Sequence, residues 1–198
     1  VLSNTLAQHL LSYVQAGGHL VLGPRSGMKD QFDALHTQRQ PGPLAAALGA
    51  HVQQFYALDP KDPAPQISGK LGHGTASIWA EVLAPDTPSA HVLLSYGSDA
   101  TGSNGWLAGH PAALEHTVGK GTLPYLGAML DRKLTASAVA YILSSAGVQP
   151  ILPNLPAGVE LMQRSASGHP PVWILINHST SSKHIALPAT MRNLIAPE

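Results

Sequence analysis

Cysteine and charge are scarce in this sequence: none of its 198 residues is a cysteine, and only 11% of them are charged. The missing cysteine excludes disulfides, thiolate metal sites and a cysteine nucleophile, but it leaves the cellular compartment open. Eleven basic residues balance eleven acidic ones, so no net charge attracts nucleic acid or an anionic membrane. A soluble domain usually has about a quarter of its residues charged. We therefore expect other protein to cover part of this surface, and we expect neither nucleic acid nor a membrane as a partner.

Long apolar runs are also missing, and no segment reaches membrane-spanning length. The chain starts at Val1 with neither an initiator methionine nor a basic leader. We expect a processed or excised piece of a longer protein. A cytoplasmic location is favoured, and a secreted parent is left open.

A helix, a short strand and a polar loop open the chain. Ser3 or Asn4 can cap the helix and Gly17 can end it. Four of its apolar residues fall on one face: Leu6, Leu10, Tyr13 and Val14. A strand that is apolar on both faces is predicted at residues 19–23, and a short helix at 44–48 is stopped by Gly49. Loop 24–43 leaves the carboxyl end of that strand, the edge at which open α/β sheets meet ligands and partners.

Segments of strand character alternate with turns through the middle of the chain. The pattern predicts strands at 51–58, 77–83, 91–96, 112–118 and 122–126, the last two joined by a glycine-rich hairpin turn. It predicts loops at 59–74 and 97–109, and a helix at 134–146.

Three prolines, at positions 150, 153 and 156, mark a linker that divides the chain. We predict an α/β domain at 1–150 and a small antiparallel β-domain at 151–198, with strands at 159–164, 172–177 and 183–187. A doubly wound sheet normally contains several βα units, whereas this chain has one clear αβ unit before its hairpins. The first domain is therefore expected to be truncated at its N-terminus, with further strands upstream of Val1.

No catalytic constellation emerges from the acidic residues or the serines. Glu81, Glu115 and Glu160 alternate with apolar residues on strands, so we expect them to face solvent rather than form the carboxylate pair that glycoside hydrolysis requires. Ser26 follows a strand as a nucleophile elbow would, but the elbow's two glycines are absent.

Metal and cofactor motifs are equally absent. The eleven histidines form no metal-binding motif, and we predict no metal and no cofactor. Trp106 lies in the glycine-rich loop 97–109 and is the candidate for stacking on a sugar.

Three blocks of residues resemble the glycoside hydrolase family 42 β-galactosidases, in that family's order and over nearly the whole chain. The first block is fairly specific and contains Tyr13-Val14, Gly17-Gly18, Leu20-Val21-Leu22, Arg25-Ser26-Gly27, Lys29-Asp30, Pro41-Gly42-Pro43-Leu44 and Leu48-Gly49. The second contains Pro111-Ala112, Gly119-Lys120-Gly121 and Tyr125-Leu126-Gly127. The third contains Gly158-Val159-Glu160, Arg164 and Leu175-Ile176-Asn177-His178.

This resemblance implies a middle α/β domain with a class I glutamine-amidotransferase-like (flavodoxin-like) fold, followed by a small antiparallel β-domain. In the family the middle domain mediates trimerisation, and both catalytic glutamates lie in a separate (β/α)8 barrel. This chain resembles no part of that barrel, so no catalytic residue can be assigned to it. The amidotransferase cysteine is missing too, as expected of a domain that kept the fold without that chemistry.

We therefore expect a non-catalytic fragment of a retaining β-galactosidase, inactive alone, whose partners are the catalytic barrel and two further copies in a homotrimer. Loop 24–43 is expected at the subunit interface through Arg25, Ser26, Met28, Lys29, Asp30, Pro41 and Pro43. Two alternatives stay open. One is a carbohydrate-binding module that uses Trp106 and Trp173, and the other is a small amidotransferase-like hydrolase.

Overall fold

The computed structural model describes residues 1–99 and 104–195. They form two compact units that divide between Gly147 and Val148, unit 1 before this point and unit 2 after it. Part of the expected loop 97–109 and the terminal Glu198 lie outside the described residues. Unit 1 contains the helices α1 Asn4–Gln15, α2 Ala45–Leu48 and α3 Arg132–Ser145. Its strands are β1 Ala50–Ala57, β2 Gln66–Gly69, β3 Gly72–Pro85, β4 His91–Tyr96, β5 Pro111–Val118, β6 Gly121–Leu126 and β7 Ala128–Leu130. Unit 2 contains β8 Val159–Arg164 and β9 Val172–Asn177.

One seven-stranded sheet organises unit 1, with strand order β1-β3-β2-β4-β5-β6 and β7 paired with β3. Every strand pair in it is antiparallel. The fold is thus mixed α/β, as predicted, with antiparallel strands where several parallel βα units would define a doubly wound sheet. The long strand β3 is central because it pairs with β1, β2 and β7 in turn.

Helix α1 begins at its predicted cap, where the Ser3 side chain accepts a hydrogen bond from the Leu6 amide at 3.1 Å. Its buried residues are Ala7 and Val14, spaced by two helical turns. Leu6 and Tyr13, expected on the buried face, are exposed instead. The Tyr13 ring lies where a Cβ on Gly18 would be, 2.3 Å away, so the ring packs on the helix end rather than on the core.

Residues 19–23 form two isolated parallel bridges to β6, His19 to Thr122 and Leu22 to Tyr125, instead of the predicted buried strand. This segment pairs with β6 alone, and Val21 is exposed, because the described residues include no second neighbouring strand. Its expected burial on both faces is therefore wrong. Gly49 does end α2, with a left-handed φ of 66°.

Two strands were missed in the sequence. β2 and the start of β3 lie within the expected loop 59–74, and β7 follows β6 almost at once. β2 is short, polar and ends in glycine, so its sequence is typical of a loop; its pairing with β3 and β4 gives it strand structure.

Unit 2 contains one antiparallel pair, β8 with β9, in which Val159 lies opposite Asn177 and Arg164 opposite Val172. The expected third strand at 183–187 has no regular secondary structure, so that prediction is wrong.

Two buried clusters form the core of unit 1. One packs α3, through Leu134 and Ala138, against the sheet. The other lies beneath α1 and α2 and includes Leu48, Leu114 and Tyr125. No helix in the described ranges is long and apolar enough to cross a membrane.

Candidate functional site

Glu81 lies at the centre of unit 1 and is completely buried, with 0% of its surface exposed. The expectation that it faces solvent is wrong. Glu81 is on β3, whose residues Ala80 to Leu83 are buried in succession. Both faces of the strand are covered there, so alternation with apolar residues does not direct the carboxylate outwards.

The Glu81 carboxylate accepts four hydrogen bonds, and we call this set the Glu81 network. Its Oε1 atom accepts from the Arg25 backbone amide, Gln40 Nε2 and Trp79 Nε1, each at 2.9 Å. Its Oε2 atom accepts from the Tyr125 hydroxyl at 2.7 Å. Gln40 Nε2 also donates to the Tyr125 hydroxyl oxygen at 2.5 Å. A buried carboxylate is very costly when unpaired, and here four donors replace the water that it loses.

Two tyrosines keep their protons in this environment. Burial raises the pKa of Tyr125, and the neighbouring Glu81 carboxylate raises it further. Burial likewise raises the pKa of Tyr96, whose hydroxyl donates to the Glu81 backbone carbonyl at 3.1 Å. Both hydroxyls are therefore donors throughout the neutral pH range, Tyr125 to the Glu81 carboxylate and Tyr96 to the Glu81 backbone carbonyl.

The Glu81 network holds a ring and a cation near the surface. Trp79 stacks on Phe55, with ring centroids 5.1 Å apart and planes 16° apart. The Arg25 guanidinium carbon lies 5.1 Å from the Trp79 ring centroid, within cation–π range. We call Arg25, Phe55 and Trp79 the Trp79 stack. The Glu81 carboxylate accepts hydrogen bonds from the Arg25 backbone amide and the Trp79 indole N–H. One buried carboxylate thus fixes the Trp79 ring and the backbone from which the Arg25 side chain extends.

Loop 24–43 packs tightly against itself beside the stack. A Cβ on Gly27 would lie 2.1 Å from the Pro41 carbonyl oxygen, and one on Gly42 would lie 2.8 Å from the Gly27 carbonyl oxygen. Both glycines have a left-handed φ, near 65°, which favours glycine. Together with the hydrogen bond from Gln40 to Glu81, these contacts hold the base of the loop against the sheet.

The predicted interface residues differ in accessibility. Arg25 is exposed and Pro41 is buried within the chain. The remaining five are half-buried: Ser26, Met28, Lys29, Asp30 and Pro43. Lys29 pairs with Asp33 at 3.0 Å. The Asp30 carboxylate accepts from the amides of Phe32 and Ala34 at 2.9 and 3.0 Å. Lys29 and Asp30 thus already have contacts inside the loop.

Apolar residues at the loop tip were missed in the sequence. Phe32 is 80% exposed and Leu35 is 69% exposed. A cleft of about 220 Å³, here called the loop cleft, is lined by Leu35 and Phe55 together with Met28, Arg39 and Val52. The loop tip and the Trp79 stack therefore border one concave surface. Two large apolar residues within four positions of a predicted loop were the signal available in the sequence.

Trp106 lies on a short 3-10 helix, Gly105–Leu107, and is 84% exposed. It lines a separate cleft of about 600 Å³ together with Tyr56, Asp59, Asp62 and Ile78. Trp173 is half-buried on β9, where its indole N–H donates to Gln163 Oε1 at 2.8 Å. Trp106 belongs to unit 1 and Trp173 to unit 2.

Glu115 and Glu160 each have a partner within their own unit. Glu115 accepts a hydrogen bond from the Tyr141 hydroxyl in unit 1, and Glu160 pairs with His178 at 3.0 Å in unit 2. The Ser26 backbone amide closes a turn on Gly23 at 3.2 Å. Residues 1–99 and 104–195 contain no group of three or more histidine, aspartate and glutamate side chains that could hold a metal.

Comparison with known proteins identifies the family of the chain. The family model described as the β-galactosidase trimerisation domain matches residues 1–149. The chain belongs to the β-galactosidase trimerisation domain family. The resemblance to glycoside hydrolase family 42 drawn from the three blocks of residues is thereby confirmed.

Relatives of this trimerisation domain chain are themselves β-galactosidases. LacZ of Heyndrickxia coagulans is 29% identical over 98% of the chain, which corresponds to 27% of the relative's length. Bga of Halorubrum lacusprofundi is 32% identical over 83% of the chain and 24% of its own length. The β-galactosidase structure from Rahnella sp. R3 matches with a TM-score of 0.82 at 25% identity, over 95% of the chain and 27% of that protein. The chain thus spans about a quarter of the length of these relatives.

Proposed function

We propose that this chain is the assembly module of a family 42 β-galactosidase, without catalytic activity of its own. Residues 1–150 would form the trimerisation domain, and residues 151–198 the small β-domain beside it. The observation that carries the proposal is the match of the trimerisation-domain model to residues 1–149. In this proposal the parent hydrolyses terminal β-D-galactosides with a barrel that this chain supports.

Loop 24–43 is the proposed contact between subunits. Its base is held by Gln40 on Glu81 and by the close packing of Gly27 on Pro41. A loop held in one conformation loses little entropy when it binds a partner. Arg25 and the exposed tip residues Phe32 and Leu35 are available for that contact. Met28, Lys29, Asp30 and Pro43 would contribute their exposed atoms, with Ser26 beside them and Pro41 supporting them from below.

We further propose that the fold is an amidotransferase-like sheet adapted to assembly. The parallel bridges from residues 19–22 to β6 support this, since a parallel edge beside an αβ unit is the arrangement that such sheets use. Helix α1 precedes that segment directly, and its end packs on the β5–β6 hairpin, where a Cβ on Gly119 would lie 2.8 Å from the Gln15 Cα.

Sedimentation of the purified chain over a wide concentration range, with a nitrophenyl-galactoside assay on the same samples, tests the proposal. We expect concentration-dependent assembly towards a trimer and no turnover. A chain that stays monomeric at every concentration, or one that hydrolyses the substrate, would contradict it.

A second candidate function is the binding of sugar by Trp106. The favouring observation is its 84% exposed side chain on the rim of a cleft of about 600 Å³ that also contains Asp59 and Asp62. Aromatic faces stack on the apolar faces of pyranosides, and carboxylates accept bonds from sugar hydroxyls. Titration with galactose and lactose, followed by tryptophan fluorescence in the native chain and in Trp106→Phe, tests it. No change at millimolar sugar would exclude this candidate.

A further inference from the structure

We infer that the Trp79 stack is the main energetic contact between subunits and that Glu81 is the positioning residue that holds it ready for a second copy of this chain. The inference rests on the proposed function and specifies its contact. It moves the centre of the interface from the polar residues of loop 24–43 to an aromatic and cationic surface on the edge of the sheet.

The composition of the stack is the first argument. Tryptophan and arginine are the residues that most often dominate binding energy at protein interfaces, especially when they are rigid before binding. Here the Trp79 indole is fixed by its N–H on Glu81 at 2.9 Å and by the Phe55 ring on its face. The Arg25 backbone has a left-handed φ of 67° and is fixed by the same carboxylate. Phe55 remains 46% exposed.

The burial of Glu81 is the second argument. A well-packed apolar residue commonly serves stability as well as or better than a buried charge, so stability alone gives no reason for a carboxylate here. Its four donors come from loop 24–43, β3 and β6. Two of the four, Arg25 and Trp79, present side chains to the stack. The carboxylate therefore joins the base of the loop, the stack and the core in one arrangement.

The surroundings of the stack are the third argument. Phe55 borders the loop cleft of about 220 Å³, whose other wall includes Leu35 and Met28. β1 is the end strand of the sheet order. The base of loop 24–43 covers its outer side at Val52, whose amide donates to the Gln40 carbonyl oxygen at 2.7 Å, and Phe55 further along the strand stays exposed. Arg39 lines this cleft, and Arg25 lies over the Trp79 ring, which itself stacks on Phe55. Such a surface fits an apolar segment that carries a carboxylate.

A second copy is the occupant that these observations favour. The family model that covers the stack and the loop is a trimerisation domain, so the surface adjoins the loop already proposed as a subunit contact. In a closed ring of three, each copy offers this surface to a different face of its neighbour. A carboxylate on that face would bind the Arg25 guanidinium above the ring.

The experiment compares variants of the full chain by sedimentation equilibrium, with far-UV circular dichroism to confirm that each is folded. Phe55→Thr and Arg25→Ala are expected to raise the concentration of half-assembly by at least about tenfold, the usual effect of a dominant contact. Val92→Thr is the matched control, because Val92 is 43% exposed on β4 against 46% for Phe55. Arg132→Ala, on the exposed start of α3, is the control for charge.

Glu81→Gln tests the positioning role, because it keeps the size of the side chain and removes its charge. We expect a raised concentration of half-assembly and an altered near-UV circular dichroism signal from Trp79, measured where the variant is fully folded. A purely structural role would lower the melting temperature and leave both readings of the folded chain unchanged, and that result would overturn the role given to Glu81.

If the native chain assembles and the stack variants behave like Val92→Thr and Arg132→Ala, the inference is wrong and the assembly function stands. If the native chain remains monomeric up to millimolar concentration, both are wrong.

Discussion

Glu81 in unit 1 and Glu160 in unit 2 have similar sequence contexts and opposite environments. Each occupies a strand position next to apolar residues, and both were expected to face solvent. Glu81 is completely buried with four donors, whereas Glu160 is exposed and pairs with His178. The difference is in the number of covered faces: β3 is packed on both sides, while none of residues 148–195 is buried. The fate of a strand carboxylate is thus decided by the layers around the strand.

The largest expected effect separates the two carboxylates directly. Glu81→Ala should lower the free energy of unfolding by more than about 3 kcal/mol, because two buried donors, Gln40 and Tyr125, and two part-buried ones lose this acceptor. Glu160→Ala should change it by less than about 0.5 kcal/mol, as exposed pairs usually do. Urea unfolding of both variants measures the contrast, and equal effects would remove the distinction between the two units.

Much of the local structure is predictable because it depends on short-range chemistry. The Ser3 cap, the Gly49 stop of α2, the β5–β6 hairpin and the bounds of β4, β8 and β9 all follow from residues within a few positions of each element. What could not be predicted depends on distant partners. β2 is a strand only because β3 and β4 flank it.

The candidate site was predictable only in part, for the same reason. Loop 24–43 was selected by its position after an apolar segment, and Arg25 within it is a member of the Trp79 stack. Glu81 and Tyr125 are 44 residues apart in sequence, and no local pattern indicates that they meet. Phe55 and Trp79 likewise come together through the β1–β3 register.

A moderate effect concerns alkaline pH, because burial raises the pKa of Tyr125 and Tyr96 above the ordinary value of 10.0. Below pH 10.0 the two tyrosines are protonated in both the folded and the unfolded chain, and their full contribution to stability is present. Above it the unfolded tyrosines ionise while the folded ones do not, so stability falls as pH rises. Each tyrosine should contribute a slope of about 1.4 kcal/mol per pH unit.

Urea unfolding of the native chain and of Tyr125→Phe between neutral pH and pH values above 10.0 measures that slope. Tyr125→Phe should be less stable at neutral pH, by about 1 to 3 kcal/mol, because one donor to Glu81 is lost, and its alkaline slope should be shallower. Unit 2 has no tyrosine, so the alkaline pH dependence of its β8–β9 pairing is the internal reference for this slope. An unchanged slope in the variant would contradict a buried, protonated Tyr125.

The smallest expected effect belongs to unit 2. His178→Ala removes the exposed partner of Glu160 and should change the free energy of unfolding by less than about 0.5 kcal/mol. At high salt the free-energy difference between the native chain and His178→Ala should be no larger, since salt screens exposed ion pairs. A loss above about 2 kcal/mol would mean that this pair is shielded from solvent in the native protein.

The most direct test of the central claim is hydrogen exchange of backbone amides in the native chain, compared between dilute and concentrated samples. An interface formed by loop 24–43 and the Trp79 stack predicts slower exchange on concentration in residues 25–35 and 53–56, with little change in β4 or α3. Slower exchange elsewhere, with these two segments unchanged, would contradict the claim that this surface joins the subunits.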